Sequence, residues 1–202
     1  MVGNMQSALT ARALVRSFAA PLLLLTLAAT SSSHAFSSRE TQLTQSTVIT
    51  DGSHDFDFLT GRWNIQNRRL KQRWVGSQEW DQFPATSAVQ QALGGIGNFD
   101  EYKAPAKGFG GITLRLYQPA TRQWSLYWAN SRDGILQPPV HGHFVNGVGT
   151  FYGEDVDEGK PVRVRYLWSR ITRTSARWEQ AFSVDGGKTW ETNWIMDFTR
   201  TD

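Results

Sequence analysis

Between Gly61 and Thr199 apolar and polar residues alternate in short runs broken by turn residues, and no stretch carries the 3.6-residue period of an amphipathic helix. A chain patterned this way buries a hydrophobic face only by pairing strands. The runs are Gly61–Leu70, Gln78–Phe83, Thr86–Leu93, Asn98–Tyr102, Ile112–Gln118, Gln123–Asn130, Val140–Val145, Val148–Glu154, Val162–Ser169, Ala176–Ser183 and Thr189–Thr199. Turn chemistry separates them at Pro119-Ala-Thr-Arg122, Asn146-Gly147, Asp157-Glu-Gly-Lys160, Ile171–Thr174 and Asp185-Gly-Gly-Lys188. Asn-Gly is the strongest of these signals, because both residues tolerate the positive φ of a type I′ hairpin turn. Links this short make sequence neighbours spatial neighbours. The pattern therefore predicts an all-β antiparallel meander of about eight to ten strands over residues 53–202, which either folds into a sandwich or closes into a single up-and-down barrel, the expected fold. Closure removes the exposed edges, and a barrel of this size has room inside for one small ligand.

The segment before the barrel reads differently. Arg12 and Arg16, the apolar run Phe18–Ala29 and Ser33-His34-Ala35 have the layout of an export signal, so residues 1–35 are expected to be removed and the mature chain released into a periplasm or the medium. The apolar run is short for a bilayer span, and no membrane span is expected after processing. Residues 36–52, rich in Ser, Thr and Gln, read as a flexible lead-in. There is no cysteine, which excludes disulfides and thiol chemistry. Setting aside Arg12 and Arg16 leaves 19 basic against 18 acidic residues with no Lys/Arg block, so nothing in the charge pattern points to nucleic acid.

Ser183-Val-Asp-Gly-Gly-Lys-Thr-Trp190 has the S-x-D-x-G-x-T-W form of the Asp box found in sialidases and other β-propellers. A propeller repeats its blade at least four times, at roughly 40–50 residues each, and here the box occurs once in a shorter domain. The box is expected to be a structural turn, with Asp185 accepting backbone N–H groups and Trp190 packing over the hairpin.

The first run opens with Gly61-Arg62-Trp63, and Gly-x-Trp on a first strand is the lipocalin signature. Together, "DFLTGRW", "LGGIGNFDEY", "ITLRLYQPATRQWSLYW", "GVGTFYGED", "RVRYLWSRI" and "ARWEQAFSVDGGKTWETNWIMDF" resemble a family of bacterial domains of unknown function with a lipocalin-like, calycin barrel. The resemblance covers about residues 54–200 and implies that fold and, loosely, ligand binding. It implies that Gly61 and Trp63 sit at a closed end, with Arg200 as the candidate arginine covering the tryptophan. The haem-binding nitrobindins are more distant calycin relatives. No histidine lies on a late strand where their ligand is, and no cofactor is expected.

All nine tryptophans lie in the barrel region. Alternation groups Trp124, Leu126 and Trp128 on one face; Val162, Val164, Tyr166 and Trp168 on the next; then Trp178, Gln180 and Phe182; then Trp190, Thr192, Trp194, Met196 and Phe198. If these faces point inward, Trp128, Tyr166, Trp178, Gln180 and Trp194 surround a small hydrophobic or aromatic ligand, with Gln180 as a polar handle. A solid core requires the same residues. The opposite faces carry Arg115, Arg163, Arg165, Arg177, Glu179, Glu191 and Asp197, expected as cross-strand ion pairs on a solvated surface; with the faces reversed, Arg165 and Glu179 would line the cavity. His141 and His143 share a strand face at a spacing zinc sites can use, but no third ligand is evident and no metal is expected. "LGGIGNFDEY" and "KGFGGI" match no phosphate-binding glycine motif and read as rim or hairpin segments.

The leading expectation is an exported binding protein for storage, transport or sensing. A second is an enzyme, an isomerase, cyclase or hydrolase, using Tyr166, Glu179 or His143 as acid or base. A third is an interaction module displaying Trp74 or Trp80. A cavity holding one buried charged pair favours the enzyme, and a wholly apolar one favours carriage.

Overall fold

The computed structural model describes residues 51–202. The export-signal reading of residues 1–35 and most of the lead-in lie outside the described residues. The last two residues of the lead-in are pinned to the barrel: the Tyr117 hydroxyl donates to the Asp51 carbonyl, and Trp124 Nε1 donates to the Gly52 carbonyl at 2.9 Å.

Ten antiparallel strands form a closed barrel in which every sequence neighbour is a ladder neighbour: β1 Gly61–Leu70, β2 Trp80–Ala92, β3 Gly97–Ala104, β4 Phe109–Gln118, β5 Gln123–Asn130, β6 Val140–Val145, β7 Val148–Asp157, β8 Lys160–Ser169, β9 Ser175–Ser183 and β10 Glu191–Arg200. β1 pairs with β10 from Trp63↔Arg200 to Arg69↔Trp194 and closes the circle. This is the all-β, closed up-and-down barrel, and not the sandwich that the alternation also allowed. Asn146 and Gly147 have φ of 51° and 76° between the paired Val145 and Val148, as a type I′ turn requires.

Three departures from the simple alternation shape the interior. Pro84 does not divide the second strand, so Gln78–Phe83 and Thr86–Leu93 are parts of one strand, β2. β2 meets β3 only from Thr86 onward, so the proline stands where one flank of the strand carries no ladder and a missing N–H costs nothing. On β10 the register slips between Thr192 and Trp194. This bulge turns the buried Asn193 inward and leaves Thr192 opposite the outward Ala181, so Trp190 and Thr192 do not share the inner face of Trp194. Trp190 instead packs outside, against Arg165 and Tyr152.

The third departure is β4. Arg115 was expected on the solvated surface and is buried inside, while Ile112, Leu114 and Leu116 take the outer face. Register decides this. Arg115 lies across from Asn98 of β3 and Leu126 of β5, both inward, so its neighbours carry it in with them.

Candidate functional site

One end of the barrel is closed. Trp63 is 1% exposed, its indole N–H donates to the Leu59 carbonyl at 2.7 Å, and the Arg200 guanidinium lies 4.3 Å over its ring. Arg200 donates to three backbone carbonyls, those of Thr60 (2.6 Å), Phe58 (2.5 Å) and Arg173 (2.9 Å). Gly61 has φ +118°, and a Cβ there would stand 2.5 Å from Arg200 Nη1, which is why the first position of Gly-x-Trp must lack a side chain. Phe56, Phe144, Phe151, Trp124 and Trp168 fill the space above.

Higher in the barrel the packing opens into a mostly apolar cavity of about 80 Å³. All five residues named from the alternation, Trp128, Tyr166, Trp178, Gln180 and Trp194, line it. Tyr166 and Trp178 meet edge to face at 4.9 Å, and Trp178 and Trp194 do so at 5.8 Å, which makes rigid aromatic walls. Gly111 gives Trp128 its place, because a Cβ on that residue would overlap the indole. Asn67 holds two walls in position, its Oδ1 accepting from Tyr102 Oη (3.0 Å) and Trp194 Nε1 (2.9 Å). Gln180 is less free than a polar handle should be, since its amide donates to Asn193 Oδ1 at 2.8 Å.

The cavity floor holds a pair that alternation had assigned to solvent or left unnamed. Asp100 and Arg115 are 4% exposed each, with Arg115 Nη1 2.7 Å from Asp100 Oδ1. Ser87 Oγ donates to Asp100 Oδ2 (2.8 Å), and Arg115 Nη1 donates to Asn98 Oδ1 (2.9 Å). Asp100 Oδ1, for all its closeness to the guanidinium, receives no well-aligned hydrogen bond, and Arg115 Nε has no acceptor among the described residues. The legible signal was Asn98 and Asp100 alternating with Phe99 and Glu101 on a strand whose neighbour, β4, also alternates; only pairing shows which set faces in.

Beyond the cavity lies the mouth, about 300 Å³, sharing Leu126, Trp128, Tyr166, Gln180 and Trp194 with it. Arg69 stands there over the Trp194 ring at 4.9 Å. Burial first, then the neighbouring charges of Arg73 and Arg132, lower the pKa of its guanidinium. The β1–β2 loop crosses this end. Arg73 grips the Asp157 carboxylate with two hydrogen bonds of 2.7 Å, Trp74 Nε1 donates to the same carboxylate at 2.9 Å, and the Trp74 backbone N–H donates to Glu191. Trp74 is therefore a half-buried clasp, packed at 6.4 Å on Phe182, and Trp80 is half-buried as well, so neither is fully displayed.

The groups named for acid–base chemistry are not brought together. Glu179 lies on the outer face opposite Leu167 and Ile195, and Arg165 is outside as well, stacked on Trp190. His143 is exposed on the outer face, as is His141, whose Nδ1 meets Ser125 Oγ at 2.9 Å. Tyr166 does line the cavity, but desolvation raises its pKa, with the Asp155 charge adding to the rise. Among the described residues no group of three or more possible metal ligands forms.

The Asp box is a turn at the mouth end. Asp185 accepts from the Thr189 hydroxyl (2.6 Å), from the Ser183 hydroxyl (2.7 Å) and from the backbone N–H groups of Thr189 (2.9 Å) and Lys188 (3.0 Å), and these bonds, the Thr189 hydroxyl foremost, hold its carboxyl well below the usual carboxylate range.

No family model matches the chain, and no curated protein does. Among solved structures it is similar to an S-type phycobiliprotein lyase from Guillardia theta, with 10% identity and a TM-score of 0.48 over 73% of this chain and 90% of that one.

Proposed function

We propose that the barrel binds a small hydrophobic or aromatic molecule, for storage, transport or sensing. The observation that supports this reading most is the convergence of Trp128, Tyr166, Trp178, Gln180 and Trp194 on one mostly apolar cavity that continues into the mouth. Rigid aromatic walls give contact area with little entropy to lose. The test is a titration with a hydrophobic dye, which quenches tryptophan fluorescence saturably if the cavity is the site, with Trp178→Ala weakening the dye. Native mass spectrometry of protein purified from its own host then weighs a retained ligand. A dye that binds with unchanged affinity to Trp178→Ala moves the site elsewhere.

A second reading has its own support. A buried charged pair inside the cavity is the feature that favours an enzyme, and Asp100 and Arg115 are such a pair. Catalysis built there uses Asp100 as the acid–base group in place of Glu179 and His143. Conversion, and not mere retention, of the ligand found by mass spectrometry, lost in Asp100→Asn, separates the two readings.

In the same proposal this binder works in a periplasm or the medium, a reading supported by the export-signal layout of residues 1–35. Sequencing the N-terminus of the protein recovered from its host tests it, the expected first residue lying near Phe36.

A further inference from the structure

We infer that the cavity floor recognises a neutral carbonyl-type head group, so that the ligand enters polar end first and leaves its apolar body among Trp128, Trp178 and Trp194. The inference rests on the binding reading above and names the class of molecule. Two N–H donors at the floor have no acceptor among the described residues, Arg115 Nε and Trp168 Nε1. Both residues line the cavity, at 4% and 2% exposed, and Arg115 Cζ lies 5.9 Å from the Trp168 ring. Buried polar groups in folded proteins are paired as a rule, so an unpaired one calls for an explanation. Among the described residues five buried side-chain atoms are unpaired, and all but Thr60 Oγ1, at the closed end, gather around the cavity. Arg115 Nε, Trp168 Nε1 and Asp100 Oδ1 belong to residues lining this one cavity, and Asn193 Nδ2 to a residue at its mouth.

Charge selects the kind of acceptor. Asp100, 2.7 Å from Arg115, already balances the guanidinium, and a carboxylate head would bring a second negative charge beside Asp100 where little water screens it. A ketone or amide oxygen accepts from Arg115 Nε or Trp168 Nε1 without adding charge. The apolar walls above the floor accept the remainder of the molecule.

Three near-isosteric probes test this: acetophenone (carbonyl), ethylbenzene (no acceptor) and benzoate (anion), each titrated by calorimetry into the full-length protein and into Trp168→Phe, which keeps an aromatic ring and deletes the N–H. In the native protein acetophenone is expected to bind more tightly than benzoate, with the carbonyl stretch of the bound ketone moved to lower wavenumber. In Trp168→Phe the ratio of acetophenone to ethylbenzene affinity is expected to fall about tenfold, the size of one well-made hydrogen bond. A tighter benzoate, or an unchanged ratio together with an unshifted carbonyl stretch, overturns the inference and leaves the binding reading standing. If none of the three probes binds, the binding reading itself fails and this inference with it. Should Trp168→Phe not fold, the carbonyl stretch and the acetophenone-to-benzoate order in the native protein decide the matter alone.

Discussion

At the closed end Arg200 is held by backbone carbonyls and an aromatic face, whereas at the mouth Arg73 is held by the side chains of Asp157 and Glu158. Both are arginines that tie distant parts of the chain together. The difference lies in their partners. The carbonyls of Phe58 and Thr60 belong to the short turn that leads directly into β1 and that of Arg173 to the short β8–β9 connection, and Trp63 is buried beneath them. A carboxylate on a hairpin tip can swing away, and its attraction weakens as salt rises. One end is thus built as part of the core, and the other as a clasp over the route to the cavity.

The largest expected effect tests the closed end as core. Trp63→Ala removes a fully buried indole, together with its bond to the Leu59 carbonyl, and should lower unfolding free energy by about 3–5 kcal/mol in denaturant titration. A loss below ~1 kcal/mol would mean that the plug is ornamental and the two ends are alike. Arg200→Met comes next, since it keeps much of the stem but leaves three carbonyls without their donor; about 2–3 kcal/mol is expected, with little dependence on salt.

At the mouth, Arg73→Ala should cost about 1–2 kcal/mol: the pair is largely buried, but Asp157 keeps its bond from Trp74 Nε1 and stands on a hairpin tip where it can turn to water once the arginine is gone. Its clearer signature is kinetic. Stopped-flow dye binding should speed up in the variant, and high salt should speed up the native protein toward the same rate. A stability loss equal to that of Arg200→Met would erase the contrast between the ends.

The smallest effect belongs to Asp185→Ala in the Asp-box turn, also at the mouth end. A modest fall in melting temperature is expected at neutral pH, with dye affinity unchanged. The folded carboxyl ionises well below its unfolded value, so its contribution is present above about pH 4 and is lost as pH falls through the folded pKa. Melting curves of native and variant protein should therefore converge in strong acid. A lost dye affinity without any change in melting would make the box a ligand site and not a turn.

Much of the fold was legible because strand alternation and hairpin chemistry are local. Asn146-Gly147 specifies its own turn, and Gly61-Arg62-Trp63 marks the closed end because only glycine tolerates both its φ and the approach of Arg200. Trp128, Tyr166, Trp178, Gln180 and Trp194 could be grouped because on β5, β8 and β9 one face is plainly more apolar than the other. β10 was half legible, since Trp194, Met196 and Phe198 follow the period, while Thr192 and Trp190 lie on the far side of a bulge that no residue type announces.

β4 marks where local pattern stops being enough. Its two faces are Ile112, Leu114 and Leu116 against Thr113, Arg115 and Tyr117, and by transfer energy alone the first belongs inside. The sequence by itself determined that these were two faces of a strand, and with the other runs it determined an antiparallel all-β meander with aromatic faces to bury. Which face of β4 turned inward was decided only by the tertiary structure. A one-residue change of register exchanges the faces, and the register that seats Arg115 beside Asn98 and Asp100 is set by pairings with β3 and β5, which bring together residues that no local window of sequence compares.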